Sequence, residues 1–564
     1  MKEKVISLLI QTGLTRIEIE SKIEVPKDIN LGDFAFPCFA LSAKLKKSPV
    51  DIARELAEDF SSDISFDKIQ AVGPYLNFFV KKETLVKEIL LKIKTQKDKF
   101  GSSDLGKGKN IVIDYSGPNI GKPMHIGHIR STLIGDSVSK ISEFLGYNPL
   151  GINYLGDIGL HIGKLIVAYG LWVDKKALEE DPTKELLRLY VRFCEQEKIE
   201  VQEGQDDNFE GNEWTEKAKE KLLLIEQGDK STLKIWKEIE KSSQEGFDRV
   251  YKLLGIKFKE TTGQSNFSAA GKQLVLDALD KGVAKKVPDS EAVLVEFENL
   301  PKKFILRGNG TASYITQDLG AAVSRFDKYK FDEMIYVTDY RQMLHFQQLF
   351  EILNKLGYSF VKNCKHLPFG TVNFENEILA TRAGKIVLLE EVLNKATEHA
   401  KEEAKKRNSK GDPQKIAFCA IKYGILKVEP SKDVSFSWKS ALNFEGDTGP
   451  YILYSYARAN SILSKSKKEG DLKKIPADLS IQEKSLIALL GKFPETVVKA
   501  HLALSPNQIA NYAYFLAQSF NEFYHISKVV GTPDEKFKLV LVESTMQVLK
   551  NALSLLGIQV ISKM

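Results

Sequence analysis

The stretch from Ile111 to His128 reads IVIDYSGPNIGKPMHIGH. Three β-branched residues followed by an aspartate are typical of a short, buried strand. A loop with glycine and proline follows, and apolar residues at helical spacing resume near His125. This order predicts a strand, a loop and a helix, which is the repeating unit of a parallel α/β sheet.

Later segments repeat this alternation of strands and helices. Strand candidates lie at Ala292–Val295, Glu333–Val337 and Ile386–Leu388, each beside a helical pattern. We therefore expect a multidomain α/β protein with a Rossmann-like parallel sheet at its centre.

Changes in composition predict the domain boundaries. Residues 1–95 combine a helical pattern with an alternating segment at Arg16–Glu20, which indicates a small α+β domain. The sheet domain is expected at residues 105–400, with a charged helical insertion at about 174–245. A connecting helical segment follows at 401–440, and apolar residues at helical spacing predict an all-helical domain at 441–564.

Net charge, cysteine spacing and the length of apolar runs limit the classes of protein to which this chain can belong. Lys and Arg number 81 and Asp and Glu 75, so the net charge is only +6 and any nucleic-acid surface must be local. The four cysteines are too far apart for a C-x-x-C pair and favour a reduced, cytoplasmic compartment. No apolar run approaches the roughly 20 residues of a membrane span, so we expect no membrane association.

The histidine pair is the strongest sign of chemistry. His125 and His128 are three residues apart at the start of the predicted helix, so their imidazoles share a face. Gly127 between them leaves room for a flat base against the backbone. Because a helix N-terminus favours anions and neutral imidazoles donate to phosphate oxygens, the arrangement suits a nucleotide.

Two other interpretations of this segment are weaker. Histidines at this spacing also occur in metal sites, but no H-E-x-x-H motif and no nearby cysteine accompany them, so we expect no metal site. The pairs Gly121-Lys122 and Gly163-Lys164 lack the spacing and the Ser or Thr of a Walker A loop.

The stretch from Pro118 to Thr132 resembles the HIGH signature of class I aminoacyl-tRNA synthetases, in the form carried by arginyl-tRNA synthetases. The resemblance continues, in order, through Asn153–Gly159, Tyr314–Asp318, Gln342–Phe346 and Thr381–Gly384. It covers essentially the whole chain, and several independent motifs are far more specific than one HIGH sequence.

The resemblance implies an arginine–tRNA ligase. ATP, with Mg²⁺, activates L-arginine to arginyl-adenylate and pyrophosphate, and arginine passes to the 2′-OH of the 3′-terminal adenosine of tRNA(Arg). In the family the HIGH histidines stabilise the pentavalent phosphate, which assigns that catalytic role to His125 and His128 and places Gly127 in the ATP site.

Positive charge for the triphosphate must come from elsewhere, because the usual KMSKS signature is absent. Family members without it resemble this chain in having a lysine just before HIGH, here Lys122. We infer that Lys122 and Arg382 are catalytic cations and that Lys385 also contacts ATP.

The resemblance also implies an arginine site, formed by Asp114, Asn119, Tyr314, Asp318 and Gln342. A guanidinium is recognised by a carboxylate in planar, bidentate geometry, often beside an aromatic face, and Asp318 with Tyr314 matches that chemistry. Gln264 stands where the family often has Glu, so one carboxylate contact is replaced by a neutral amide.

The N-terminal domain is expected to contact tRNA through Tyr75 and Asn77, which resemble the segment that meets a D-loop base. An aromatic face stacks on an unpaired base and an amide reads its edge. Strand alternation would place both on one face, with Leu76 and Phe78 toward the core. A tyrosine half-buried on a small sheet remains the alternative.

The C-terminal domain is expected to bind the anticodon. Tyr451, Tyr454 and Arg458 follow the i, i+3, i+7 spacing of one helix face, although such a stripe also occurs in helix cores. Tyr524 is a possible extension of this surface, and Met564 matches a C-terminal methionine that lies at the anticodon loop in the family.

Two further hypotheses remain open on sequence alone. A non-catalytic RNA-binding paralogue is disfavoured because both histidines and Lys122 are intact. A small-molecule nucleotidyltransferase explains residues 111–170 but leaves both end domains without a role. We expect a monomer whose partners are tRNA(Arg), L-arginine and ATP.

Overall fold

The structure, a computed structural model, describes residues 2–24, 26, 28, 31–63, 65–204, 212–374, 388–406 and 409–564. Its strands are β1 (Phe34–Pro37), β2 (Phe66–Val72), β3 (Tyr75–Val80), β4 (Asn110–Asp114), β5 (Asn148–Leu155), β6 (Glu260–Gly263), β7 (Lys285–Lys286), β8 (Val293–Val295), β9 (Lys303–Leu306), β10 (Glu333–Asp339), β11 (Cys364–Phe369), β12 (Val372–Phe374) and β13 (Val434–Phe436).

The helices follow the same chain order. They are α1 (Lys2–Ile10), α2 (Arg16–Glu20), α3 (Phe39–Leu45), α4 (Pro49–Asp59), α5 (Lys82–Gln96), α6 (Ile126–Phe144), α7 (Leu160–Trp172), α8 (Lys175–Glu180), α9 (Pro182–Gly204), α10 (Glu213–Glu226), α11 (Lys230–Leu254), α12 (Ser268–Asp280), α13 (Tyr314–Tyr329), α14 (Met343–Lys355), α15 (Leu389–Lys406), α16 (Pro413–Leu426), α17 (Trp438–Ala441), α18 (Gly449–Lys465), α19 (Ile481–Leu502), α20 (Asn507–Ile526) and α21 (Glu535–Leu555).

A five-stranded parallel sheet in the order β11, β10, β4, β5, β6 confirms the expected fold class. β4 lies in the middle, and its apolar residues Ile111, Val112 and Ile113 are fully buried. A strand covered on both faces reads as a continuous apolar run, which is why its sequence shows no alternation. The chain passes from β4 through α6 to β5, and later returns on the other side of β4 as β10.

The N-terminal residues form an antiparallel sheet in the order β1, β3, β2, packed with α1 to α4. One local expectation was wrong: the alternating segment Arg16–Glu20 is the helix α2. The Thr15 hydroxyl caps this helix by accepting from the Glu18 N–H, and the Thr15 N–H donates to the Glu18 carboxylate at 2.7 Å, which makes a capping box. The cap provides hydrogen-bond partners for N–H groups at the start of the helix. This stabilisation outweighs the tendency of alternating polar and apolar residues to form a strand.

The other strand candidates have different outcomes. β8 and β10 lie at two of them, and β8 belongs to a small antiparallel sheet with β7 and β9. In the third, residues 386 and 387 lie outside the described residues, and Leu388 forms an antiparallel bridge with His125. Between β5 and β6 the described chain is helical, from α7 to α11.

The chain divides into two compact units. One comprises Met1–Lys97, Ile462–Gly491 and Glu522–Thr545, and the other Asp98–Ser461, Lys492–Asn521 and Met546–Met564. After residue 441 the described elements are the helices α18 to α21, as expected of an all-helical region. Among the described residues, no helix combines the length and apolar character that crossing a bilayer requires.

Candidate active site

A cavity of about 450 Å³ opens at the carboxyl ends of β4 and β10. β4 has β5 on one side and β10 on the other, so the chain leaves this point of the sheet in opposite directions. Ligands of open α/β sheets bind at such a point. Its lining includes seven of the predicted site residues: Asp114, Asn119, His125, Gly127, His128, Asp318 and Gln342.

His125 is the N-cap of α6, and its ring lies 4.0 Å from that of His128. The His125 Nδ1 accepts a hydrogen bond from the Gly127 N–H, and the His128 Nδ1 accepts one from the His125 N–H, both at 3.1 Å. Burial lowers the pKa of both rings, that of His128 to about 3, and the nearby Lys122 charge also lowers the pKa of His125. Both rings are therefore neutral near pH 7, and each Nε2 carries the proton and can donate it to a hydrogen bond.

Gly127 and Gly156 shape the cavity wall because they have no side chain. A Cβ on Gly127 would lie 2.8 Å from Cε1 of His125, so a side chain there would displace the imidazole. A Cβ on Gly156 would lie 1.8 Å from Oδ1 of Asn119, and the two backbones pair in a parallel bridge. These close approaches keep His125 and Asn119 at the cavity.

The loop between β4 and α6 turns sharply at Ser116, whose φ of 74° is unusual for a residue other than glycine. This conformation costs about 1 kcal/mol and needs support from its surroundings. The Ser116 N–H donates to Oγ of Ser131 at 2.9 Å, and the Ser116 and Tyr251 hydroxyls lie 2.8 Å apart. The loop is thus fixed from two helices.

Asp114 already has an ionic partner within the chain. Nη1 of Arg325 donates to its Oδ2 at 2.7 Å, with the two side chains 3% and 10% exposed. Burial raises the pKa of Asp114, and the Arg325 guanidinium opposes that rise. Sequence reasoning missed Arg325, because a basic residue in an amphipathic helix such as α13 gives no sign that it points inward.

Asp318 lies on α13, and its Oδ2 lies 2.6 Å from Nε2 of His345. Gln342 ends the 3-10 turn that follows β10 and faces the same cavity. Gln264 lines it as well, and its buried Oε1 has no hydrogen-bond partner among the described residues. His345 lies within the Gln342–Phe346 motif, but the resemblance to the family assigns no role to it.

Two predicted residues lie apart from this cavity. Tyr314 is half exposed and lines a second cavity of about 230 Å³ with Gly159 and Arg307. Lys122 places its Nζ 4.4 Å from the ring centre of Tyr190 on α9, and burial lowers its pKa. Arg382 and Lys385 lie outside the described residues.

The predicted D-loop residues differ in exposure. Tyr75 is half-buried, and its ring meets that of the exposed Phe39 edge-on at 6.4 Å. Asn77 is only 2% exposed, contrary to the open face that alternation suggested. β3 is the middle strand of its sheet, so both its edges are paired, and Leu76, Asn77 and Phe78 are all buried although they alternate between its two faces. The Asn77 Oδ1 is buried and has no hydrogen-bond partner in the described part of the chain.

The predicted anticodon residues of α18 form a connected group. The Arg458 guanidinium lies 4.6 Å from the ring centre of Tyr454, and its Nη1 donates to Oδ1 of Asn521 at 2.5 Å. Tyr451 contacts Tyr514, with the ring centres 5.7 Å apart.

Tyr524 and Met564 lie on separate parts of the chain. Tyr524 is partly exposed on α20 and belongs to the unit that contains the N-terminus. Met564 ends the tail after α21, where the Ser562 carbonyl accepts a hydrogen bond from Asn460 at 2.9 Å. No group of three or more His, Cys, Asp or Glu in the described ranges could hold a metal ion.

A parallel sheet with an HIGH turn at its carboxyl edge defines the catalytic domain of class I aminoacyl-tRNA synthetases. The family model "tRNA synthetases class I (R), catalytic domain" matches residues 87–438. The model of the arginyl-tRNA synthetase N-terminal domain matches residues 1–80, and that of the DALR anticodon-binding domain matches 452–564.

Similar proteins agree with these models. An arginine–tRNA ligase of Clostridium botulinum is 40% identical over 557 residues, covering 97% of this chain and 96% of that protein. One of Clostridium perfringens is 38% identical over 559 residues, with the same coverage. The solved arginyl-tRNA synthetase of Thermus thermophilus has the same fold, with a TM-score of 0.77 at 24% identity over 100% of this chain and 99% of that one. The chain belongs to the arginyl-tRNA synthetase family.

Proposed function

We propose that the chain is an arginine–tRNA ligase that activates L-arginine with ATP and transfers it to tRNA(Arg). One observation carries the proposal: the cavity at the ends of β4 and β10 brings the HIGH pair, Asp318 and Gln342 together. Phosphate donors and a carboxylate for a guanidinium are thus within one site, in a chain of this family.

The first reaction joins arginine to AMP. A carboxylate oxygen of arginine attacks the α-phosphorus of ATP, the bond to the bridging oxygen of the β-phosphate breaks, and pyrophosphate leaves. His125 and His128 donate from Nε2 to the phosphate oxygens on which negative charge grows. Because both rings are already neutral and oriented by their Nδ1 hydrogen bonds, they need no reorganisation in the transition state.

Cations assist the departure of pyrophosphate. ATP brings its Mg²⁺ as part of the substrate, and we assign Lys122, Arg382 and Lys385 to the triphosphate. Burial lowers the pKa of both His125 and His161, and the charge of Lys122 adds to this effect while its Nζ lies against Tyr190.

The arginine substrate lies on the other side of the cavity. Asp318 accepts its guanidinium and Gln342 adds a polar contact, while Asn119 meets the α-amino end. Asp114, whose carboxylate is held by Arg325, lines the same cavity and is assigned to the polar groups of the substrate. Tyr314 approaches from the neighbouring cavity.

The second reaction forms the ester. The 2′-OH of the terminal adenosine attacks the carbonyl carbon of arginyl-adenylate, and AMP leaves. We assign tRNA contacts to Tyr75 in the N-terminal region and to Tyr451, Tyr454, Arg458, Tyr524 and Met564 in the C-terminal region, whereas the buried Asn77 is not accessible to a base. A monomer acting in the cytoplasm completes the proposal.

Charging assays test the function directly. Purified protein with ATP, Mg²⁺ and tRNA(Arg) should attach arginine and no other amino acid to the tRNA. Attachment of a different amino acid, or binding of tRNA without turnover, would contradict the proposal. Arginine-dependent exchange of pyrophosphate into ATP should require tRNA, by analogy with the family.

A further inference from the structure

Asp318 is held by a second side chain of the protein itself. Nε2 of His345 lies 2.6 Å from its Oδ2, and the two side chains are 18% and 17% exposed. His345 is at the start of α14, directly after β10, whereas Asp318 is on α13. The contact therefore joins α13 to α14 beside the cavity.

Packing fixes the imidazole in place. The His345 ring meets the ring of Phe346 edge-on at 5.4 Å, and Phe346 stacks on His366 at 4.5 Å. His366 is itself within hydrogen-bond distance of the Thr338 hydroxyl, at 2.8 Å. A ring supported in this way holds its hydrogen-bonding partner in one orientation.

One consequence concerns how many oxygens the guanidinium meets. A free carboxylate offers two oxygens to a guanidinium in parallel, but here Oδ2 of Asp318 is taken by His345. The buried Oε1 of Gln264, which has no hydrogen-bond partner among the described residues, lines the same cavity. The other oxygen of Asp318 and the amide oxygen of Gln264 are thus two acceptors that the cavity offers.

We infer that His345 is a positioning residue that turns Asp318 so that a single carboxylate oxygen faces the arginine guanidinium. The inference rests on the proposed role of Asp318 in arginine binding. His345 does not touch the substrate. It limits the rotation of the carboxylate and leaves the second guanidinium contact to a neutral oxygen such as that of Gln264.

Replacing His345 by Phe is the first test, because a phenyl ring keeps the packing and removes the donor. The KM for arginine should rise roughly tenfold, the size of one lost hydrogen bond to a charged group, while kcat at saturating arginine and the KM for ATP stay within about twofold. An unchanged KM for arginine would overturn the inference.

Rescue separates positioning from a merely structural role. In His345→Gln the side-chain amide places its nitrogen near the former Nε2 position, so most of the arginine affinity should return. His366→Gln is the matched control: His366 lies in the same cluster but contacts Thr338 and Phe346 instead of Asp318. Its KM for arginine should rise much less than that of His345→Phe, because its Asp318 keeps the hydrogen bond to His345.

A double substitution distinguishes the positioning role of His345 from the arginine contact assigned to Asp318. Asp318→Asn alone should raise the KM for arginine, and adding His345→Phe should then cost at most about twofold more. If the two effects multiply, His345 acts independently of Asp318 and the inference fails. If Asp318→Asn leaves the KM unchanged while charging continues, the assigned arginine contact is wrong although the ligase function stands.

Discussion

The two HIGH imidazoles are fixed as neutral donors by hydrogen bonds to their Nδ1 atoms. His125→Ala removes one such donor from the cavity. We expect the rate of adenylate formation to fall by roughly 10²–10³, the usual effect of losing one preorganised donor, with little change in tRNA affinity. Single-turnover measurement with tRNA present tests this, and an unchanged rate would exclude His125 from the transition state.

Three histidines have strongly lowered pKa values because they are buried: His128 at about 3, and His161 and His366 at about 4. Each stays neutral in the folded state but binds a proton in the unfolded chain below about pH 6.5. The free energy of unfolding should therefore fall as pH decreases from about 6.5 toward 5.

Denaturant titrations at several pH values measure this slope. His161→Gln removes one of the three groups and should make the decrease shallower. A slope identical to that of the parent protein would show that His161 keeps an ordinary pKa in the fold.

Gln264 supplies an uncharged oxygen to the cavity. In Gln264→Glu a carboxylate would face the guanidinium, and a charge-assisted hydrogen bond is about 1 kcal/mol stronger than a neutral one. We expect the KM for arginine to fall about fivefold, with no change in the KM for ATP. A rise in the KM for arginine would show that two carboxylates so close together repel more than they attract.

Sequence predicted the members of the site better than their partners. The HIGH residues, Asp318 and Gln342 could be found because they lie in short motifs, and seven predicted residues line one cavity. Arg325 and His345 act through contacts between distant segments. Although His345 lies in the Gln342–Phe346 motif, the sequence does not show which residue it contacts. The roles of the predicted residues stay predictions until variants are measured.

At the scale of elements, α6 connects the active site with the segment after α16. Arg130, two residues beyond His128, is fully buried and donates to the carbonyls of Glu429 and Lys432, each at 2.8 Å. Burial lowers its pKa to about 10. These hydrogen bonds from a buried guanidinium to backbone oxygens fasten the segment to the helix.

Replacing Arg130 by Met should destabilise the fold by about 3 kcal/mol, because several buried carbonyls lose their donor at once. Urea unfolding measures the loss. Arg130→Lys keeps the charge but has fewer donors, so an intermediate stability is expected. Equal stability of the Met variant and the parent would contradict this account.

Elements with a distinct apolar, β-branched sequence were predictable, whereas those determined by capping at their ends were not. The strands β4 and β10 follow from their apolar, β-branched sequences. In contrast, α2 reads as a strand by alternation and becomes a helix because Thr15 and Glu18 satisfy its first N–H groups. A capping contribution of about 1 kcal/mol to helix stability decides whether such a short segment forms a helix or a strand.

At the scale of the whole molecule, the near balance of charge limits how tRNA is held. From Phe444 to Met564 the sequence has 14 Lys and Arg against 11 Asp and Glu. Few phosphate contacts imply a shallow dependence of binding on salt: we expect a log–log slope of magnitude below about 4. A much steeper slope in a filter-binding titration would show an extensive phosphate surface instead.

Base stacking should then carry much of the selectivity. Tyr454→Ala removes an exposed ring beside Arg458 and should weaken tRNA(Arg) binding by about 1–3 kcal/mol, while leaving the salt slope unchanged. Lys362 is an exposed lysine between α14 and β11. The variant Lys362→Ala is the control and should bind tRNA as the parent does. Equal affinities of the Tyr454 variant and the parent would remove this tyrosine from the interface.

The order of strands in the central sheet also affects how the chain is made. β4 pairs with β5 soon after both are synthesised, but its other neighbour, β10, follows about 220 residues later. Until then the nascent sheet has an open, apolar edge along β4, the kind of edge that pairs with other chains. The strand that later forms the centre of the active site thus keeps one edge unpaired during translation until β10 has been made.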